Sequence, residues 1–291
     1  LLFIASSAPE LRSIDFNDSA SVAVTVEFPG PKPYYHFVEI IGSCRGFMLL
    51  HCVCHLCVWN PTTSVHKIIP LSPVFFNKDI TFCTLLSANR AEIFSLRANA
   101  WKEIEGIHFP YIHFYYTNNN PGSLYNQFGS FLNGSIHWLA FRSDVSMNVI
   151  VVFDLVERSF SEMHLPVEFD YDNLNFCHLR VLGESPHLCA VLGCKHSVEI
   201  RVMKEYKSIV ICADNFAMRY FFPICSTKSG DIIGTNVRAG LMKWTTARTS
   251  NLMKCNDKGQ LQEHRTYCDS SYRSEVAVYT ESLFSLPCDS E

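Results

Sequence analysis

The densest group of metal-binding side chains in the sequence is His51-Cys52-Val53-Cys54-His55-Leu56-Cys57. A structural zinc site draws its ligands from two turn-borne Cys or His pairs separated by a spacer. No second pair follows here, and Cys57 leads directly into Val58-Trp59. On a strand, Cys52 and Cys54 would share one face and His51 and His55 the other, so a thiol-rich buried strand pair is expected. Gly42-Ser43-Cys44-Arg45-Gly46 has the spacing of a nucleophile elbow with a thiol in place of the hydroxyl. An elbow needs a strand before it and a helix after it, whereas Phe47–Leu50 continues as an apolar run without helical alternation. A turn is expected there. His137, beside Trp138, and His164, before Leu165-Pro166, read as hydrogen-bonded packing residues. Asp170 and Asp172 sit in a polar loop that marks neither as a general acid or base. The one phosphate-loop spacing, Gly129 to Gly134, lacks the following Lys and Ser or Thr. No catalytic residue, cofactor site or metal site is assigned.

A different chemistry occupies Gly106 to Phe141, a stretch without a formal charge. Within it, aromatic residues flank Thr117-Asn118-Asn119-Asn120-Pro121-Gly122. Tyr and Asn together offer large contact area at low entropic cost and adaptable hydrogen bonds, which suits protein recognition. Phe109, Tyr111, Phe114, Tyr115, Tyr116, Asn118, Asn119 and Tyr125 are therefore the candidate protein-binding residues. The competing expectation is a loop that simply packs over the fold.

The elements that must hold these residues are strands. Of 291 residues, 48% are hydrophobic and 18% charged, enough apolar content for a sizeable core. The net charge of −4 excludes a basic nucleic-acid footprint as the leading function. The thirteen cysteines lie mostly inside apolar runs, where a free thiol acts as a small hydrophobe, and they point to the cytosol or nucleus. The longest lipid-like run, Phe47 to Trp59, falls short of the roughly 20 residues a membrane helix needs. No membrane partner is expected. Helical periodicity is confined to Leu1–Ala5 and Asn215–Phe222. Elsewhere short β-branched, aromatic and Leu runs, such as Val22–Phe28, Phe47–Leu50, Cys57–Trp59, Val149–Leu155 and Val276–Thr280, alternate with Gly, Pro and Asn turns.

The runs repeat. Gly46, Gly134, Gly183 and Gly230 each open a unit in which a buried strand, a second buried strand, a polar turn and a half-buried third strand follow in order. The last three glycines recur at roughly 50-residue intervals, near the roughly 40–50 residues of a propeller blade. A partial copy, Ala91–Leu96 with Trp101–Ile104, fills the longer first interval. One such sheet cannot bury both faces, whereas a ring of them can. The expected fold is all-β and antiparallel, a β-propeller-like ring of degenerate three- to four-stranded repeats with few helices, in a single domain over 1–291. Two Greek-key sandwiches are the competing arrangement.

At this point the residues resemble a family. Gly42-Ser43-Cys44-Arg45-Gly46, Trp59-Asn60-Pro61-Thr62-Thr63 and Ile68-Ile69-Pro70 are similar to the opening signature of plant F-box associated, kelch-like domains. Ile93–Arg97 before Trp101, Phe131–Gly134 with His137–Ala140, and Phe153-Asp154-Leu155 before Met163–Pro166 continue the series. It closes with Val202-Met203-Lys204-Glu205-Tyr206. The resemblance spans nearly the whole chain. It implies an adaptor without chemistry of its own: the substrate-recognition domain of an SCF-type ubiquitin ligase, binding a target protein for ubiquitination. A Skp-type linker and cullin would be reached only through an F-box absent from this chain. Leu11–Phe16 resembles the segment that follows the F-box, so residues 1–20 are expected to link to it. Two departures stand out. Arg201 replaces the usual Trp, and Tyr206 runs straight into Lys207-Ser208-Ile209-Val210, which predicts a missing edge to that sheet. A propeller enzyme or small-molecule binder, and a decayed family member without a partner, are the alternative readings.

Overall fold

The computed structural model describes residues 2–5, 10–13, 38–52, 55–70, 91–104, 111–112, 129–142, 144–165, 177–182, 187–193, 197–202, 208–212, 221–227, 229–236, 251–256, 258–266 and 274–286. Among the described residues every regular element is a strand. The chain opens with β1 (Leu2–Ala5) and β2 (Glu10–Ser13), followed by β3 (Val38–Cys44), β4 (Phe47–Cys52), β5 (His55–Trp59) and β6 (His66–Pro70). Then come β7 (Ala91–Ser95), β8 (Ala100–Ile104), β9 (Tyr111–Ile112), β10 (Ser130–Leu132), β11 (Ser135–Arg142), β12 (Met147–Asp154) and β13 (Ser159–His164). The third copy holds β14 (Cys177–Leu182), β15 (His187–Gly193), β16 (Ser197–Val202) and β17 (Ser208–Cys212). The fourth holds β18 (Phe221–Ser226), β19 (Ile232–Asn236), β20 (Asn251–Cys255) and β21 (Leu261–Thr266), and β22 (Ser274–Ala277) ends the series.

Each copy is a sequential antiparallel meander: β3-β4-β5-β6, β10-β11-β12-β13, β14-β15-β16-β17 and β18-β19-β20-β21. A Greek key would bring the fourth strand back beside the first, so the sandwich alternative is set aside. Three of the four repeat glycines, Gly46, Gly134 and Gly230, mark the first hairpin of their sheets, and Gly183 lies outside the described residues. Arg45-Gly46 and Asn133-Gly134 are two-residue loops with both φ values positive (49° and 83°, 49° and 81°), as type I′ turns require. Gly230 also has positive φ and lies between β18 and β19. The first, second and fourth copies thus have one strand more than the sequence pattern displayed, the one that precedes the glycine.

Three expectations are corrected. The apolar run Leu1–Ala5 is not helical: Leu2–Ala5 is β1, paired with β2 on one side and β22 on the other. A run this short has too few backbone hydrogen bonds to nucleate a helix alone, and two open strand edges satisfy it better. Residues 221–222 of the second helix candidate begin β18, and residues 215–220 lie outside the described residues. The missing edge after Tyr206 is filled, because Ser208–Cys212 pairs with β16 as a fourth strand; its β-branched run fits a pleated edge. The strand expected at 22–28 lies outside the described residues.

The central strands are buried on both faces. Val149, Ile150 and Val151 of β12 are all fully buried, so the sheet is covered on either side. Val149 and Val151 join Ala140, Met147 and Phe160 on one face. In the first sheet Met48, Leu50, Cys57 and Trp59 are fully buried on one face, with Met48 opposite Trp59 and Leu50 opposite Cys57. The other face packs Leu56, Val58 and Ile69 against Phe94, Leu96 and Trp101 of the β7-β8 region. Trp101 Nε1 donates to the Pro70 carbonyl at 2.9 Å, tying the two sheets. First strands of successive sheets are neighbours, β10 beside β14 and β14 beside β18, while β22 lies beside β3. Ser130 Oγ donates to the Leu179 carbonyl at 3.0 Å across one of these junctions. The sheet β2-β1-β22 joins the two ends of the chain.

Candidate functional site

Loop residues that recur from sheet to sheet are where a shared site would be built. At the hairpin before the last strand, four of the sheets place a short acceptor side chain. Asn60 Oδ1 accepts from Thr62 N at 3.0 Å, and Ser95 Oγ from Ala98 N at 3.2 Å. Asp154 Oδ1 accepts from Val156 N at 2.8 Å and Glu157 N at 2.9 Å. Asn256 Oδ1 accepts from Lys258 N at 3.1 Å and Gln260 N at 2.8 Å. Ser64, Asn99, Arg158 and Gly259 then close the loops at positive φ. These are turn caps of the Asx kind. The Glu157 and Val156 amides hold the Asp154 carboxyl below its ordinary range. The acceptor oxygen of each recurring group serves its own turn, so the repeat supplies backbone geometry.

The sequence candidates for chemistry are dispersed. Cys44 is exposed beside a two-residue hairpin turn, with a strand rather than a helix following. Cys57 is buried in β5 opposite Leu50 and Ile68. The side chains of His51, Cys52 and Cys54 lie outside the described residues, as do Asp170 and Asp172. His137 is buried, its Nδ1 3.2 Å from the Ser130 carbonyl, while the Ser130 hydroxyl faces the next sheet. The imidazole and the hydroxyl therefore do not form a dyad, and His137 is the packing residue the sequence suggested. His164 is exposed on the outer strand β13. Burial pushes the Cys225 and Cys255 thiols up to about 11, which leaves too little thiolate for nucleophilic work.

Of the candidate protein-binding residues, Tyr111 lies on β9, its backbone paired with Arg142 of β11. Phe109, Phe114, Tyr115, Tyr116, Asn118, Asn119 and Tyr125 lie outside the described residues. Their attachment points are nonetheless defined. β9 pairs with Phe141 and Arg142, and β10 pairs with Ser135, Ile136 and His137, on the same edge of β11. The gap between His137 and Phe141 measures about 13 Å at the strand rise of roughly 3.3 Å per residue. Residues 113–128 thus leave and rejoin one strand edge. The return is at Gly129, where a Cβ would fall 2.3 Å from Ile136 Cγ2 and 2.7 Å from the Trp138 ring, so only glycine fits. At the other anchor, Arg142 Nε bonds Asp144 Oδ1 at 2.9 Å and its Nη1 bonds Glu162 at 2.8 Å. Asp144, held down chiefly by that guanidinium, stays charged. No sequence motif announced this fork, because its three members come from a strand, a turn and the next-but-one strand.

The fold and these groups define a propeller-type scaffold whose repeated loops are capped turns and in which β9 and β10 share one edge of β11. The chain belongs to the F-box associated beta propeller domain family, whose pattern matches residues 3–286. It is similar to F-box protein CPR1 of Arabidopsis thaliana, 26% identical over 255 residues, covering 71% of this chain and 57% of that protein. It is also similar to Arabidopsis thaliana At3g16210, provisionally named an F-box protein, 24% identical over 158 residues, 49% of this chain and 41% of that one. The chain thus spans about half the length of these relatives. Among solved structures, a chain of a nidogen/laminin complex matches 62% of this chain and 59% of its own at 9% identity and a TM-score of 0.34.

Proposed function

We propose that this chain is the substrate-recognition domain of an SCF-type ubiquitin ligase adaptor, acting in the cytosol or nucleus. In this reading an F-box elsewhere in the full-length protein docks to a Skp-type linker and through it to a cullin. The β domain holds the target protein, and the transfer of ubiquitin is performed by other subunits. The family membership over residues 3–286 carries the reading. It is supported by the similarity to F-box protein CPR1 and by the repeated loop positions, whose polar side chains cap their own turns.

The recognition element in this proposal is the segment carrying Phe109, Tyr111, Phe114, Tyr115, Tyr116, Asn118, Asn119 and Tyr125. The flanking strands β9 and β10 pair with β11, and the segment's sequence is rich in aromatic residues of the kind that dominate binding energy, each worth about 2 kcal/mol when central to an interface. Affinity capture of the full-length protein, with mass spectrometry of what is retained, tests both halves. The Skp-type linker and a target should be captured by the wild type. Joint Tyr115→Ala and Tyr116→Ala substitution should lose the target and retain the linker. Failure to capture any Skp-type linker would overturn the adaptor role; retention of the target by the double variant would overturn the assigned surface.

A further inference from the structure

Residues 278–286 follow β22 and cross the loop end of the first sheet. Ser43 Oγ donates to the Val278 carbonyl. Tyr279 OH donates to Asn60 Oδ1 at 3.2 Å, accepts from Thr62 N at 3.0 Å, and meets the Thr62 hydroxyl. Asn60 Nδ2 donates to two carbonyls of the crossing segment, Ser282 at 2.8 Å and Phe284 at 3.0 Å. Asn60 itself is fully buried. Farther along, Leu286 is buried in the apolar cluster of Leu56, Val58 and Ile69. The segment passes so close to the first hairpin that a Cβ on Gly46 would fall 2.0 Å from Ser282 Cβ and 3.1 Å from the Thr280 carbonyl.

We propose that residues 278–286 are a locking strap, with Asn60 as its catch, that clamps the sheet made from both chain ends, β2-β1-β22, onto the first sheet. The comparison among turn caps carries the inference. All four caps need only an acceptor for the turn, and at Asp154 a carboxylate supplies it. Asn256 turns its amide N–H to Gln260 within its own loop. Only Asn60 among them directs both amide hydrogens at carbonyls from more than two hundred positions away. Its four hydrogen-bonding positions are then all used, two donating to the strap and two accepting. Because β22 pairs with β1 from Ser274–Ala5 to Ala277–Leu2, holding the strap also holds β1 and β2.

Asn60→Asp separates the two roles. The aspartate keeps the acceptor for Thr62, as Asp154 does in its own turn, but sets a carboxylate oxygen against the Ser282 and Phe284 carbonyls. Hydrogen exchange of the whole chain, read peptide by peptide, should show residues 2–13 and 274–286 opening about tenfold more often, with 130–164 and 221–266 unchanged. Leu286→Ala, which removes the apolar seat and adds no charge, should give the same regional pattern more weakly. It serves if Asn60→Asp does not fold. Wild-type exchange at both chain ends in the folded variant, or a rise of equal size in every sheet, would overturn the strap.

Discussion

Gly46 and Gly134 occupy equivalent hairpins at nearly the same φ, yet their surroundings differ. Nothing lies within 4 Å of a Cβ placed on Gly134, whereas one on Gly46 meets Ser282. Asn tolerates positive φ, so Gly134→Asn should cost less than about 1 kcal/mol of unfolding free energy. Gly46→Asn should cost about 3 kcal/mol or more, because the strap must be displaced. Denaturant titration of the two variants checks this, and equal losses would deny the close approach. The thiols offer a second residue-scale measurement. Burial raises Cys225 and Cys255 from 9.0 to about 11. Alkylation of the folded protein at pH 8 should leave both untouched, while the exposed Cys44 reacts.

At the scale of elements, one edge of β11 carries the strands on either side of the aromatic segment. Gly129 marks the point at which the chain rejoins β11, over Ile136 and Trp138. Gly129→Ala should destabilise by about 2 kcal/mol or more by forcing those side chains aside. It should also impair target capture more than linker capture, since it shifts the root of the proposed recognition segment. Between sheets the coupling is finer. Ser130→Ala removes the buried hydroxyl bond from β10 to Leu179 of β14 and should cost about 1 kcal/mol. A loss indistinguishable from zero would mean that apolar contact alone holds this junction. The two-sided burial of β12 explains why its run Val149–Phe153 reads as continuous rather than alternating hydrophobic residues.

For the molecule as a whole, titration should bound stability from both sides. Asp144, Asp154 and Asp231 are held below 3.8 by the Arg142 guanidinium, by turn amides, and by the Ser229 hydroxyl with Lys254 respectively. Each favours the folded state while ionised, so that contribution is present above the unfolded value and is lost as pH falls through the lower folded one. The thiols act oppositely. Their folded values exceed 9.0, so their contribution is complete below pH 9 and disappears as pH rises towards 11. The contribution of these five groups to the melting temperature should therefore decline below about pH 5 and above about pH 9. Cys225→Ala with Cys255→Ala should flatten the alkaline limb. An unchanged alkaline decline in that double variant would place its origin elsewhere.

Strands, turns and their repetition are local properties, and the amino-acid order alone determined them. Gly46, Gly134 and Gly230 mark first hairpins because only residues that accept positive φ close such loops, and the Asn60, Asp154 and Asn256 positions are legible as turn caps. The family pattern is written at that same local level. Tertiary structure alone decided which distant edges meet: β1 between β2 and β22, β9 beside β10 on one edge of β11, and the 278–286 segment on Asn60. Leu2–Ala5 reads as a short helix because an isolated apolar run carries no record of its partners. A backbone edge presents the same N–H and C=O groups whatever its sequence, so long-range pairing is settled by the competition among all open edges once the chain has collapsed.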